Sequence, residues 1–152
     1  MNLHTQLLQR AAQGKPIRVG LIGAGKFGSM YLAQVPRTAG VHIVGIADLN
    51  PEAACRNLAR VGWDPQRVQA ASLDAALRDG NTFVADDWQA LVRHPGIDLI
   101  VESTGAPIAA VDHMLEAFEQ GKHVVNVTVE ADAFCGPLLA QRAAAAGVIY
   151  SL

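Results

Sequence analysis

Residues 17–30, IRVGLIGAGKFGSM, hold a strand-like run, a glycine-studded loop and the start of a helix. No other stretch restricts the fold as strongly. IRVGLI is short, almost continuously apolar and rich in β-branched residues. A strand buried on both faces has this pattern, and such strands belong to parallel sheets. Gly23, Gly25 and Gly28 then spell G-x-G-x-x-G. Three glycines alone mark only a turn. These follow a strand and precede a helix, and an acidic residue, Asp48, lies 20 positions beyond Gly28 at the end of the next strand. That context gives the motif its meaning.

Each position has its own physical reason. Gly23 permits a sharp turn off the strand. Gly25 carries no side chain, so a pyrophosphate can approach the backbone. Gly28 lets the helix pack tightly against the sheet. Free N–H groups at the helix start, aided by the helix dipole, then meet the phosphates. Asp48 can accept hydrogen bonds from the adenosine ribose hydroxyls, and its charge repels a 2′-phosphate, which favours NAD. Arg56 and Arg60 lie on the following helix and leave NADP open. Lys26, inside the loop, either helps neutralise phosphate or is an exposed lysine. The pattern GxxxxGK[ST] is absent, which argues against a nucleoside triphosphatase.

Along the chain the periodicity predicts strands alternating with helices. Leu3, Leu7, Leu8 and Ala11 recur at helical spacing, predicting a leading helix over 3–13 within residues 1–15. Strands are expected at 17–22, 41–48, 82–85, 98–103, 123–129 and 148–152. Helices are expected at 26–35, ending before Pro36, at 51–61 after an Asn50-Pro51 start, and at 72–79, 87–93 and 137–146. A further helix opens at Pro107, with Ile108, Val111, Leu115 and Phe118 on one face. This alternation predicts an α/β fold with a doubly wound, mostly parallel sheet, the Rossmann dinucleotide-binding architecture, as one domain over residues 1–152. The chain ends inside a strand-like run, so a substrate domain is expected outside it.

Ligands of open α/β sheets sit beyond the carboxyl ends of the strands. That rule selects two more loops. In ESTGAP, Ser103, Thr104 and Gly105 offer hydroxyls and free backbone before a helix start, for contacts with phosphates or the nicotinamide-side ribose. In NVTVEADAF, Asn126 and Thr128 are candidates to line a nicotinamide pocket, and Glu130 is either an acid or base or a solvated carboxylate. The five histidines are scattered over different elements, so no metal site is expected. G-x-S-x-G is absent, and no catalytic acid or base is assigned.

Composition narrows the partners. The net charge of −2 gives no electrostatic case for nucleic acid or an anionic membrane. No apolar run approaches the roughly 20 residues that span a bilayer. The polar N-terminus lacks the apolar stretch of a signal peptide, so a cytoplasmic location is expected. Cys55 and Cys135 have neither CxxC nor metal spacing and read as small, partly buried thiols.

PIRVGLIGAGKFG, VHIVGIADLNPEAA, DLIVESTGAP and GKHVVNVT together resemble the N-terminal domain of homoserine dehydrogenase-like oxidoreductases. GKPIRVGLIGAGKFGSM and the helix before it look most like a bacterial branch in which a catalytic region and often a SAF-type domain follow. That branch includes deoxyxylulose-phosphate reductoisomerase-like NADPH enzymes. The resemblance implies an NAD(P)-dependent oxidoreductase transferring hydride to or from a small polar hydroxy or oxo metabolite, homo-oligomeric at full length. It implies Gly23, Gly25, Lys26, Phe27 and Gly28 as the dinucleotide loop and Asp48 as the adenosine-ribose contact. Ser103, Thr104 and Gly105 become the second loop, and Asn126 lies near the nicotinamide. Where the family resembles GKHVVTxNK, this chain reads GKHVVNVTVE. Val129 stands at the lysine position and no lysine follows Lys122, which argues against homoserine as substrate. A non-enzymatic, nucleotide-sensing module is the alternative.

Overall fold

A computed structural model describes residues 2–152. It contains helices α1 (Leu3–Ala12), α2 (Lys26–Gln34), α3 (Pro51–Arg60), α4 (Leu73–Asp79), α5 (Trp88–Arg93), α6 (Pro107–Glu119) and α7 (Val129–Ala146). The strands are β1 (Ile17–Ile22), β2 (Val41–Ala47), β3 (Phe83–Ala85), β4 (Leu99–Glu102), β5 (His123–Asn126) and β6 (Tyr150–Ser151). All pair in parallel, in the order β3-β2-β1-β4-β5-β6. The strand order reverses at β1, between β2 and β4, so the carboxyl ends of β1 and β4 form the switch point of a doubly wound sheet.

Alternation along the strands divides the core between the two faces. Val19, Leu21, Ile43 and Ile46 pack with Leu32 of α2 and Leu58 of α3. Trp63 joins this layer, and its indole N–H donates to the Leu32 carbonyl at 2.7 Å. Ile22, Val44, Ile100 and Val124 face the other layer, which holds Leu91 of α5, Met114 and Phe118 of α6 and Leu139 of α7. Burial on both faces explains why β1 and β4 read as continuous apolar runs.

Local chemistry sets several helix starts. Asn50, Ser72 and Asp87 cap α3, α4 and α5 by accepting the amides of Ala53, Ala75 and Ala90. At the amino edge of the sheet, Arg18 grips Asp98 through Nε at 3.0 Å and Nη2 at 2.5 Å. Close by in the fold, buried Lys122 donates to the carbonyls of His94 and Ile97.

Three expectations change. On α6 the expected stripe is borne out at Phe118, which is buried, and at Val111 and Leu115, which are partly buried against the core, but Ile108 is 70% exposed. The buried stripe of the helix is Ala110, His113, Met114, Ala117 and Phe118. This stripe has equally good helical spacing but contains a histidine, which pairs with a buried carboxylate described below. The fifth strand ends at Asn126, and α7 starts at Val129 instead of residue 137. Cys135 (φ −145°) interrupts the helical backbone two residues before Pro137. Proline restricts the residues before it, so only the part beyond it is plain in the sequence. Finally, α1 forms but buries none of its residues, despite its periodicity.

Candidate functional site

The glycine loop leaves β1 at its carboxyl end. Gly23 adopts φ +91°, and a Cβ there would lie 2.9 Å from the Ser103 carbonyl and from Thr104 Cα. A Cβ on Gly28 would lie 2.4 Å from the Gly23 carbonyl oxygen. These two glycines let α2 and the loop after β4 close around the turn. Gly25 differs, since a Cβ there meets nothing within 4 Å. Its missing side chain leaves open space above the start of α2.

That helix start carries no side-chain cap. The first amides of a helix have no partner within it, so those of Lys26, Phe27 and Gly28 are available to an anion. Ser29 and Asn57 hold the loop from behind. Ser29 Oγ donates to the Gly25 carbonyl at 2.7 Å, and Asn57 Nδ2 donates to the Ala24 carbonyl at 2.9 Å. Lys26 and Phe27 are exposed at the rim.

Asp48 lies at the end of β2, facing the loop. Its Oδ2 accepts the Ala24 amide at 2.8 Å and its Oδ1 the Asn50 amide at 2.9 Å. Each carboxylate oxygen can accept more than one hydrogen bond, so the bracing leaves capacity for a ligand. Ser103 is buried, and its hydroxyl donates to the Gly23 carbonyl at 2.7 Å. It fastens the two loops together and has no hydrogen left to offer a phosphate. Thr104 gives its hydroxyl to Glu102 at 2.6 Å, and the Gly105 amide donates to Thr128 Oγ1 at 3.0 Å. The residues of the second loop therefore shape the cleft, with their donors turned inward.

Asn126 lies apart from the glycine loop, at the end of β5. It is buried; its Oδ1 accepts the Thr128 amide and its Nδ2 donates to the Tyr150 hydroxyl. Tyr150 in turn donates to Asp132 at 2.7 Å. Burial and this bond to Asp132 push the Tyr150 pKa up to about 12. Val129 and Glu130 are exposed in the first turn of α7. Among the described residues no cluster of three or more His, Cys, Asp or Glu side chains is arranged to hold a metal.

The switch-point cleft has a volume of about 350 Å³ and runs from the glycine loop past Asp48 to α6. Its far end is built from residues that sequence reasoning missed. Glu102, the last residue of β4, is fully buried. It accepts Thr104 Oγ1, His113 Nδ1 at 3.2 Å and the Thr128 hydroxyl. Burial raises its pKa, but hydrogen bonds from His113, Thr104 and Thr128 together outweigh that and hold it below the usual carboxylate range. One buried charge thus ties β4, α6 and the loops after β4 and β5 into a single unit. His113 also packs on Trp88, with ring centroids 4.5 Å apart. A signal for this cluster was present in the charged residue that ends the apolar run DLIVE. Its partner stands 11 positions on, in a helix whose buried face was read without its histidine.

The strand order, the open cradle at Gly25, the uncapped start of α2 and Asp48 define a dinucleotide-binding domain of the Rossmann type. A family model described as the NAD-binding domain of homoserine dehydrogenase matches residues 23–152, and the chain belongs to that family. A homoserine dehydrogenase from Methylobacillus glycogenes is 33% identical over 121 residues, covering 74% of this chain and 24% of that protein. One from Pseudomonas aeruginosa is 28% identical, covering 89% of this chain and 28% of the relative. The chain thus spans about a quarter of the length of these relatives. Among solved structures, a homoserine dehydrogenase from Thiobacillus denitrificans superposes with a TM-score of 0.70 at 26% identity, covering 91% of this chain and 29% of that one. A biliverdin reductase from Synechocystis, in complex with biliverdin and NADP+, has a TM-score of 0.59 at 26% identity over 90% of this chain and 37% of that one. No helix among the described residues is long and apolar enough to cross a membrane.

Proposed function

We propose that this chain is the NAD(H)-binding module of a dehydrogenase acting on a small polar hydroxy or oxo metabolite. The observation that carries the reading is the open space at Gly25, set between the uncapped start of α2 and the Asp48 carboxylate. A pyrophosphate needs that space and those amides, and a ribose diol needs that acceptor. The bound nicotinamide supplies the hydride chemistry. In this reading the α2 amides hold the pyrophosphate and Asp48 takes the adenosine ribose. Ser103 and Glu102 keep the loops in register, so that no reorganisation is needed on binding. Asn126, fixed by Thr128 and Tyr150, stands on the β5 side of the switch point, the side that falls to the nicotinamide half.

NAD is favoured over NADP because Asp48 places a negative charge where a 2′-phosphate would sit, and no Lys or Arg lines the cleft. Val129, at the start of α7, brings no amine to the position where the family has lysine. A substrate other than homoserine is therefore part of the proposal. The test is calorimetric titration of the folded chain with NADH and NADPH. NADH binding tighter than NADPH is expected. Flat titrations with both nucleotides overturn the reading.

A further inference from the structure

The end of the cleft beyond Asp48 is lined by Leu49, Asp86, Trp88 and His113. His113 is unusual among them. Its side chain is only 8% exposed, and its Nδ1 is engaged by Glu102. Its Nε2 has no hydrogen-bond partner among the described residues. No buried side-chain nitrogen or oxygen among those residues lacks a partner, so Nε2 keeps open surface, and the open surface beside His113 is the cleft. Glu102 settles what this nitrogen offers. A carboxylate only accepts, so the ring hydrogen lies on Nδ1, and in the neutral imidazole Nε2 is an acceptor.

The surroundings reinforce that character. Asp48 and Asp86 are the charged side chains of the cleft. The hydroxyl hydrogens of Ser103 and Thr104 are already given to Gly23 and Glu102. The indole N–H of Trp88 is the remaining side-chain donor. Such a wall suits ligand groups that donate hydrogen bonds and repels carbonyl oxygens.

We propose that His113 Nε2 reads the base of the bound dinucleotide, selecting a purine with a 6-amino group over one with a 6-oxo group. Glu102 acts as the positioning residue that fixes the imidazole tautomer. The inference rests on the dinucleotide reading above and adds a specificity that the glycine loop and Asp48 cannot supply, because both contact only sugar and phosphate. A site built around an acceptor discriminates strongly, since the wrong group leaves that acceptor buried and unpaired.

The experiment compares binding of NADH and reduced nicotinamide hypoxanthine dinucleotide, which differ only in the 6-amino or 6-oxo group. Calorimetry on the wild-type chain is expected to show NADH bound at least about tenfold tighter, about 1.4 kcal/mol. His113→Phe keeps a ring against Trp88 and is expected to reduce the ratio to under about threefold, about 0.7 kcal/mol. His113→Gln, whose amide can turn to donate, serves in its place if the first variant does not fold. Equal binding of the two nucleotides by wild type overturns this inference and leaves the dinucleotide site standing. An unchanged ratio in a folded His113 variant removes the assignment to His113. Failure of both nucleotides to bind overturns this inference together with the function it rests on.

Discussion

Asp48 Oδ2 accepts the Ala24 amide at 2.8 Å, so the acidic end of β2 braces the glycine loop at the end of β1. One carboxylate thereby performs two tasks. It shapes the loop before any ligand arrives, and in the function proposed above it offers its remaining lone pairs to a ribose. Asp48→Asn keeps the size and one acceptor oxygen but removes the charge. NADH binding is expected to weaken about tenfold, about 1.4 kcal/mol, and the preference for NADH over NADPH to narrow. Calorimetric dissociation constants for both nucleotides check this. Unchanged constants would limit Asp48 to loop bracing.

Two glycines of the loop should respond in opposite ways to the same added methyl group. A Cβ at Gly25 meets nothing within 4 Å, and its φ of −72° lies outside the left-handed region. Gly25→Ala is therefore expected to leave Tm nearly unchanged while weakening NADH binding. A Cβ at Gly28 meets the Gly23 carbonyl at 2.4 Å, and backbone cannot turn aside as a side chain can. Gly28→Ala is expected to cost about 1–3 kcal/mol of stability, each kcal/mol lowering Tm by about 2–4 °C in a chain of this size. Thermal melts beside titrations separate the two outcomes.

Glu102 predicts an acid limb in the stability profile. Its folded pKa lies below the ordinary value of 4.5, so the folded state binds this proton less readily than the unfolded chain does. The stabilisation is complete above that value and is lost as pH falls through the depressed folded one. Glu102→Gln should be less stable than wild type near neutral pH, with the gap closing in acid. Asp98, also held low, gives both proteins a common acid loss, so the difference between their urea midpoints is the quantity to follow.

Lys122 separates folding from binding. Its ammonium donates to the His94 and Ile97 carbonyls at the amino edge of the sheet, opposite the cleft. Lys122→Met strands those carbonyls and is expected to cost about 1–3 kcal/mol. NADH affinity of the folded variant should stay at the wild-type value. A matching loss of affinity would show the two edges to be coupled.

Periodicity and the glycine loop were enough to read the layered parallel fold and the tight turn at the end of β1 from the residues in order. Those features are local: a strand, a turn that admits no side chain and a helix start follow one another within 14 residues, 17–30. The Glu102 cluster is different. Its members lie on β4, α6 and the two loops beyond β4 and β5, and a polar residue in a helix reads as a surface residue until its partner is known. Only packing shows that His113, not Ile108, turns inward, because the buried carboxylate at the end of β4 makes a histidine affordable there. The same holds for Ser103, whose hydroxyl looked free for a ligand and is committed to the Gly23 carbonyl. The order of residues determined the turn at the switch point and with it the class of ligand proposed there, since backbone sterics act over a few positions. The tertiary structure decided which side chains remain free to touch it, because hydrogen-bond partners are supplied by segments far apart in the chain.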